Sequence, residues 1–560
     1  MQKKQTILVV ASLLVVVLSV SLAYFTAQII GKGKNVTINS ADLKIIFTDN
    51  DGSISGTNIE PGKWNVTKTF TIENKSNETY KYNIVIQDLV NTFVTNGYLQ
   101  YKITSTNGGY NMTEFKDVPK SETATDTILA YSASIDVGVT QSYTVEFIYK
   151  NDESVDQSDD MGKTLSGKLF ITEGTIDPAM YAGYEKDTLG YQVLGNNTTR
   201  EVRTNFSGVF TKTNSETLFT STESIVGSTP ADVYYFAGNV TDNWVKFGKY
   251  KADYIKYRGY YSAQDTSYVD YDTMDECTSA TRWNYNCTEY KLANAGDDMY
   301  WRIIRTNHDK SIRLLYAGTS PSSVDCHIGT SAFNTSYNSP KYVGYKYGED
   351  TSLDTIRNNT TDSTIKTFID SWYQNNLTDY TKYLSEDAVY CNDRELASGQ
   401  TYSTKNDFNF ASYERIYTNK QPSYNCTNIS DAFSVNNTSA KLNYPVALMT
   451  AGEMIYAGGK YEDIFDDCDY SWYNANSNGK SVTGSTQWWS MSPEFYKSSY
   501  PFVVNVLGAP FEDGSYATRI GINLSLATRP VTSLKSCVKY SSGDGTASNP
   551  YTILETETGC

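Results

Sequence analysis

Early in the chain, apolar residues recur at every second position. Trp64, Val66, Phe70 and Ile72 fall on one face of KWNVTKTFTIEN, with Lys68 interrupting. Tyr80, Tyr82, Ile84 and Ile86 keep the same period, as do Tyr143, Val145, Phe147 and Tyr149. Side chains alternate across a strand, so this period buries one face of a sheet, whereas a helix needs apolar residues three and four apart. DNDG (49–52), EPGK (60–63) and NGG (107–109) break the runs with turn-forming residues. Several short strands with polar turns and no helical pattern predict an antiparallel β-sandwich over residues 31–175.

A different texture follows. Residues 176–230, including NNTTREVRTNFSG and TKTNSETLFTSTES, are polar and weakly patterned, and read as a connector with a short hairpin or helix. From 231 to 540 the elements are mixed. VYYFAGNVTDNWVKFGKY (233–250) alternates, and DMYWRIIRTNHDKSIRLLYAG (298–318) predicts two strands joined at Asn307–Lys310. In STIKTFIDSWYQNNL (363–377), Ile365, Phe368, Ile369 and Trp372 stand at helical spacing. With a tail at 541–560, the fold class expected is multidomain and mainly β, a sandwich followed by an α+β domain. At 560 residues the chain is long enough for two or three domains.

Composition bounds the function. Tyr is abundant at 47 residues and His nearly absent at 2, in a background of Ser, Thr, Asn and Gly. That is the texture of a secreted β-rich protein. A net charge of −16 argues against nucleic acid, whose binders need Lys/Arg patches, and against general adhesion to anionic membranes. Its plain meaning is colloidal solubility. The eight cysteines begin at Cys277 and include no C-x-x-C, which disfavours a zinc ribbon or a thioredoxin-type motif.

In a secreted chain the cysteines are expected as disulfides, with free buried thiols the rival reading. Sequence proximity suggests Cys277–Cys287, Cys391–Cys426 and Cys537–Cys560, leaving Cys326 with Cys468. Lys3 and Lys4 precede an apolar run, Ile7 to Ala23, and Ser21-Leu22-Ala23 offers small residues before a cut. Residues 1–30 therefore read as a signal peptide, or as an uncleaved membrane anchor, and the remainder is expected to be secreted or at the cell surface. There is no LPxTG-like sorting signal or C-terminal hydrophobic tail to support a covalent wall anchor. The Asn-x-Ser/Thr triplets at Asn196, Asn239 and Asn376 are expected by chance in such a composition.

Two resemblances add to this reading. AYFTAQ after the leader, then KNVTINSADLKIIF, then IEPGKWNVTKTFTIENKSNETYKYNI resemble the TasA/camelysin family, secreted β-sandwich proteins of Gram-positive bacteria found in biofilm fibres and on cell surfaces. The likeness spans about a quarter of the chain. The metalloprotease activity described for some members does not carry over, because HExxH is missing and His308 and His327 lie outside the module. The later order YWRIIR, IRLLY, a Trp-bearing helix, CNDR, YP…LMTAGE, WWSMSP and RPVTSLKS resembles bacterial surface domains of unknown function. Those domains are similar to the C-type-lectin-like fold of formylglycine-generating enzymes. Ala527-Thr528 stands where that pattern usually has Gly-Val.

The stretch WWSMSPEF (488–495) has two readings. Trp488 and Trp489 fill a core, with Arg529 pairing a carbonyl or carboxylate, or Trp488, Trp489, Ser490, Ser492 and Arg529 face a shallow pocket suited to a sugar or a peptide end. Calcium is the one cofactor left open. Asp463, Asp466, Asp467 and Asp469 form a candidate cluster, with a solvated acidic loop as the plain alternative. Asp49-Asn50-Asp51-Gly52 lacks the EF-hand spacing and reads as a turn. Two histidines supply no Ser-His-Asp set, and a disulfide explains Cys391 and Cys426 with less chemistry than reactive thiols. The expected function is therefore non-catalytic: adhesion to, or binding of, an extracellular glycan or protein. The alternative is a fibre subunit that self-associates through the first module, and an enzyme on the lectin-like scaffold ranks behind both.

Overall fold

The computed structural model describes residues 35–560 except 41–42, 50–53, 57–59, 96, 113, 154, 174–181, 198, 213–215, 462–471, 484–486, 499–502 and 510–515. The chain forms two compact units, Met1–Pro178 and Ala179–Cys560. The leader, most of the DNDG turn and the 463–469 aspartates lie outside the described residues.

Ten strands build the first unit: β1 (Asn35–Ser40), β2 (Leu43–Asp49), β3 (Ile54–Gly56), β4 (Asn65–Asn74), β5 (Tyr80–Asn91), β6 (Leu99–Ser105), β7 (Lys116–Asp117), β8 (Ser121–Ile135), β9 (Thr140–Tyr149) and β10 (Leu165–Glu173). They form two antiparallel sheets, ordered β1-β2-β4-β9-β6-β7 and β3-β10-β5-β8. One core joins the sheets. Phe70, Ile72, Tyr143, Val145 and Phe147 come from the first, and Tyr82, Ile84, Phe170 and Ile171 from the second. The alternation in β9 does what the sequence predicts, burying Tyr143, Val145, Phe147 and Tyr149 in turn.

Register turns that periodicity into contacts. Phe70 lies opposite Tyr143, and their rings stack at 4.9 Å. Each such ring contributes roughly 1.5–3 kcal/mol on leaving water. Tyr82 of β5 hydrogen-bonds Tyr143 of β9, so a polar tie crosses the core. β5 departs from simple alternation, since Asn83 and Val85 are buried as well as their neighbours. Register shifts against β8 break the ladder there, and Asn83 satisfies its amide by donating to Thr172.

The second unit mixes sheets and helices. Its largest sheet has ten strands. Ala231–Tyr235, Trp244–Lys249 and Ile312–Tyr316 all pair with a central strand, Asp298–Thr306. The hairpin 298–316 turns as expected, with Lys310 N donating to Asn307 O and Lys310 at φ 63. The expected helix runs Thr364–Asn376, capped by Ser363, which accepts from Lys366 N. Its Ile365, Ile369 and Trp372 enter the core, where Trp372 packs against Trp301 and Tyr316.

Two expected boundaries differ from the structure. Of the stretch 176–230, read as a connector, the described residues from 182 onward belong to the second unit. Helix Leu189–Asn196 buries Leu189, Val193 and Leu194, and strand Thr217–Glu223 pairs with Ala231–Tyr235. Its apolar residues are too sparse to register as periodic, yet Leu189, Val193, Leu194 and Leu218 enter a core built with distant strands. The tail 541–560 is likewise integrated. Strands Tyr540–Ser542 and Tyr551–Ile553 extend the ten-stranded sheet, Tyr551–Ile553 pairing parallel with Trp244–Lys249.

Three disulfides join Cys277–Cys287, Cys391–Cys426 and Cys537–Cys560. They are the chemistry of a non-cytoplasmic compartment. Cys326 is a free, buried thiol, and its expected partner Cys468 lies outside the described residues. No helix among the described residues is long and apolar enough to cross a membrane.

Candidate functional site

WWSMSPEF occupies the strand Trp488–Lys497 and is buried along nearly its whole length. Trp488 Nε1 donates to Asn474 Oδ1 at 2.7 Å, and Trp489 Nε1 donates to Ser331 O at 2.6 Å. Both rings are fully enclosed, and Ser490 with them. Arg529 lies 4.9 Å from the Trp488 ring and donates to the carbonyls of Tyr316, Cys326 and Tyr473. Backbone dipoles stand in for a counter-ion, and burial holds this guanidinium down at about 10. The pocket reading of these residues is therefore corrected. Indoles with satisfied N–H groups and no exposure are core, and Trp488, Trp489, Ser490 and Arg529 present no ligand surface. Ser492 differs, because it lines a cleft.

That cleft is small and is assembled from six separate stretches of the second unit. Its floor is an ionic network. Arg305 donates from Nη2 to Glu223 Oε1 at 2.8 Å and from Nε to Glu453 Oε1 at 2.9 Å. Arg313 donates from Nη1 to the same Glu453 oxygen at 2.5 Å and to the carbonyl of Val389. Glu223 also accepts the His308 backbone N–H at 2.6 Å. All four side chains are at most 3% exposed.

Local sequence explains why Glu453 is there. TAGE (450–453) is a capping box that starts the helix Ala451–Tyr456. Thr450 Oγ1 accepts from Glu453 N, and Glu453 Oε2 accepts from Thr450 N at 2.9 Å. One carboxylate thus caps a helix with one oxygen and binds two arginines with the other. Ser492 Oγ accepts Ala451 N at 3.0 Å, so the tryptophan strand fixes the same helix end. At Gly452 the Ser423 carbonyl stands 2.9 Å from where a Cβ would sit, which keeps that wall of the cleft close.

The rim contains less ordinary geometry. Glu414–Thr418 is a π-helical turn that carries Arg415 and Ile416 into the lining. Such turns are rare and recur at functional sites. Arg415 pairs with Asp393, a non-glycine residue at φ 52. The Cys391–Cys426 disulfide forms one side, and Cys426 is hydrogen-bonded through its backbone to Ser224 and Val226. Two buried polar atoms of lining residues, Arg313 Nε and Tyr424 Oη, have no hydrogen-bond partner among the described residues.

The electrostatics follow from burial and pairing. Burial alone would raise the Glu223 carboxyl, but Arg305, His308 and Arg313 outweigh it and hold it at about 2. Glu453 is lowered too, with Arg313 and Arg305 overcoming its burial. Both folded values lie below the unfolded ones. The stability they contribute is therefore full above about pH 4.5 and is lost as pH falls from there toward 2. Urea midpoints are expected to hold from pH 7 to 5 and then to drop, with Glu223 alone accounting for about 3 kcal/mol. A midpoint unchanged between pH 5 and 3 would show that the network adds nothing.

Sequence reasoning missed this site. Its one legible trace was charge inside apolar strands, Arg305 in WRIIR and Arg313 in IRLLY, beside the capping box. Nothing local signals the π turn. Among the described residues no group of three or more His, Cys, Asp or Glu side chains is placed to hold a metal ion.

No protein-family model matches the chain, and no curated protein does. Among solved structures, the CBM32-1 and CBM32-2 domains of ZmpB from Clostridium perfringens align at 10% identity over 46% of this chain and 88% of that one, with a TM-score of 0.11. A longer piece of ZmpB that adds the M60 catalytic domain aligns at 10% identity over 45% of this chain and 35% of that one, again at 0.11. Similarity at that level carries no argument.

Proposed function

We propose that this is a non-catalytic extracellular protein that binds a ligand in the cleft beside Cys391–Cys426. The observation that carries the reading is the pair of buried, unpartnered polar atoms, Arg313 Nε and Tyr424 Oη, in residues lining a cleft whose walls are already held by a disulfide and a buried ionic network. Unpartnered buried polar groups each cost about 1–3 kcal/mol, and a bound ligand offsets that cost. The two antiparallel sheets of the first unit support a TasA-like β-sandwich there. The helices and mixed sheets of the second support a C-type-lectin-like display domain.

The fibre reading has one observation behind it. β8 is the last strand of its sheet among the described residues, with Glu122 to Asp126 exposed. Charged residues on such an edge oppose strand addition, which places this reading second.

The test is a glycan and peptide array probed with the oxidised full chain and with Arg415→Ala. The Arg415 side chain is 30% exposed, so its pair with Asp393 is worth at most about 1 kcal/mol and the variant should fold. Array hits should weaken at least about tenfold in that variant, the size of one charge-assisted hydrogen bond. Hits that survive unchanged would move the binding surface elsewhere.

A further inference from the structure

Among the described residues, Lys256 and Lys366 are the buried lysines. Lys256 pairs with Asp272, whose side chain is 70% exposed. Lys366 is placed differently. Its side chain is wholly enclosed, and Nζ donates at 2.5 Å to Oδ2 of Asp370, whose side chain is 13% exposed. The same Oδ2 accepts from Asn443 Nδ2 at 3.1 Å. An amine and a carboxamide, far apart in sequence, therefore meet on one carboxylate oxygen.

Other contacts hold the three side chains there. Lys366 and Asp370 stand one turn apart on the helix Thr364–Asn376, so they share a face. Tyr444, next to Asn443, stacks on Tyr373 of that helix at 4.8 Å. On the other side, Leu442 is buried, and Lys441 O accepts from Lys346 Nζ at 3.4 Å. Asp362 also reaches Lys366 Nζ, at 3.3 Å, but its second oxygen pairs with Lys346. Asp370 is the carboxylate that Lys366 and Asn443 share.

We propose that Lys366 and Asn443 join in an amide bond between their side chains, with Asp370 relaying the protons. This is a single self-modification without turnover, and it is independent of the ligand reading above. Nζ passes one proton to Asp370, and its lone pair attacks Asn443 Cγ to form the new C–N bond. Asp370 gives that proton to Nδ2. The Cγ–Nδ2 bond breaks with its electron pair on nitrogen, and ammonia departs. Asp370 takes the second Nζ proton and passes it to the ammonia, so one ammonium leaves for the one consumed. No oxidant or second substrate enters the balance. The relay suits its place, because Oδ2 touches both the nitrogen that loses protons and the nitrogen that gains one. Burial pushes the Asp370 carboxyl up against the pull of Lys366, which favours the protonated form the relay passes through. Asn443 is exposed, so ammonia has an exit. The bond ties the helix to the segment entering strand Val446–Ala447, which pairs with Val531–Leu534. Like a disulfide, it constrains the unfolded chain, but reductants do not open it.

Tryptic mapping of the denatured, reduced full chain by mass spectrometry tests the proposal. The expected result is one branched peptide that joins the Lys366 and Asn443 segments, one ammonia lighter than its two parts, with no cut after Lys366. Fragment ions across the branch separate it from ammonia loss at another asparagine. Lys366→Arg keeps a positive charge beside Asp370, and Asn443→Ala removes the carboxamide. Each should abolish the branched peptide and release the linear ones. Asp370→Asn should lose most of it while keeping both joined residues. Linear peptides from the parent chain, with normal cleavage after Lys366, overturn the cross-link. A full yield of branched peptide from Asp370→Asn overturns the relay.

Discussion

Glu453→Ala should destabilise the second unit by about 3–5 kcal/mol, more than any other single change in the cleft. The carboxylate accepts from Arg305 at 2.9 Å and Arg313 at 2.5 Å, and both guanidinium groups are almost fully buried. Removing it leaves two like charges facing each other out of water. Glu223 still neutralises Arg305, but Arg313 retains only the Val389 carbonyl. The helix Ala451–Tyr456 loses half of its capping box at the same time. Thr450→Ala is the control, since it removes only the cap and should cost about 1 kcal/mol. Denaturation midpoints of the two variants at pH 7, read in the full chain, test the claim. If Glu453→Ala costs no more than Thr450→Ala, the ionic network is not holding the cleft.

Trp489→Ala should show the opposite profile from a binding-site mutation. Its indole is fully buried, donates to Ser331 O at 2.6 Å and meets Phe333 edge-on at 5.8 Å. Truncation should cost about 3–5 kcal/mol through lost burial and the cavity left behind. Binding per folded molecule should be unchanged, because no atom of the ring lines the cleft. The measurement is a binding isotherm beside an unfolding curve for this variant and for Arg415→Ala. Arg415→Ala should lose binding and keep stability, and Trp489→Ala should lose stability and keep binding. A Trp489→Ala protein of native stability that no longer binds would return the tryptophans to the site.

These two residues also mark the limit of what the chain discloses when read alone. Alternation in β9 was enough to predict a strand and its buried face, because sheet geometry relates each residue to the one two positions away. Helix Thr364–Asn376 was legible for the same reason at a different period. The bridges Cys277–Cys287, Cys391–Cys426 and Cys537–Cys560 were legible because each closes a short loop. All of these are local relations.

WWSMSPEF was not legible in that way. Two tryptophans beside serines fit a core or a rim equally well, and the choice was made by Asn474, Ser331 and the sheet neighbours that enclose them. The cleft is further removed still. Arg305 reaches Glu453 across 148 residues of sequence and Glu223 across 82. Neither separation leaves a period or a spacing to read.

The chain by itself therefore determined many of its strands, its helix faces and its short disulfides. The tertiary structure decided which charges meet, and that 182–230 and the C-terminal tail join the second unit. The physical reason is that backbone periodicity and short loop closure act between near neighbours. Burial and ion pairing depend on which distant segments the fold brings together.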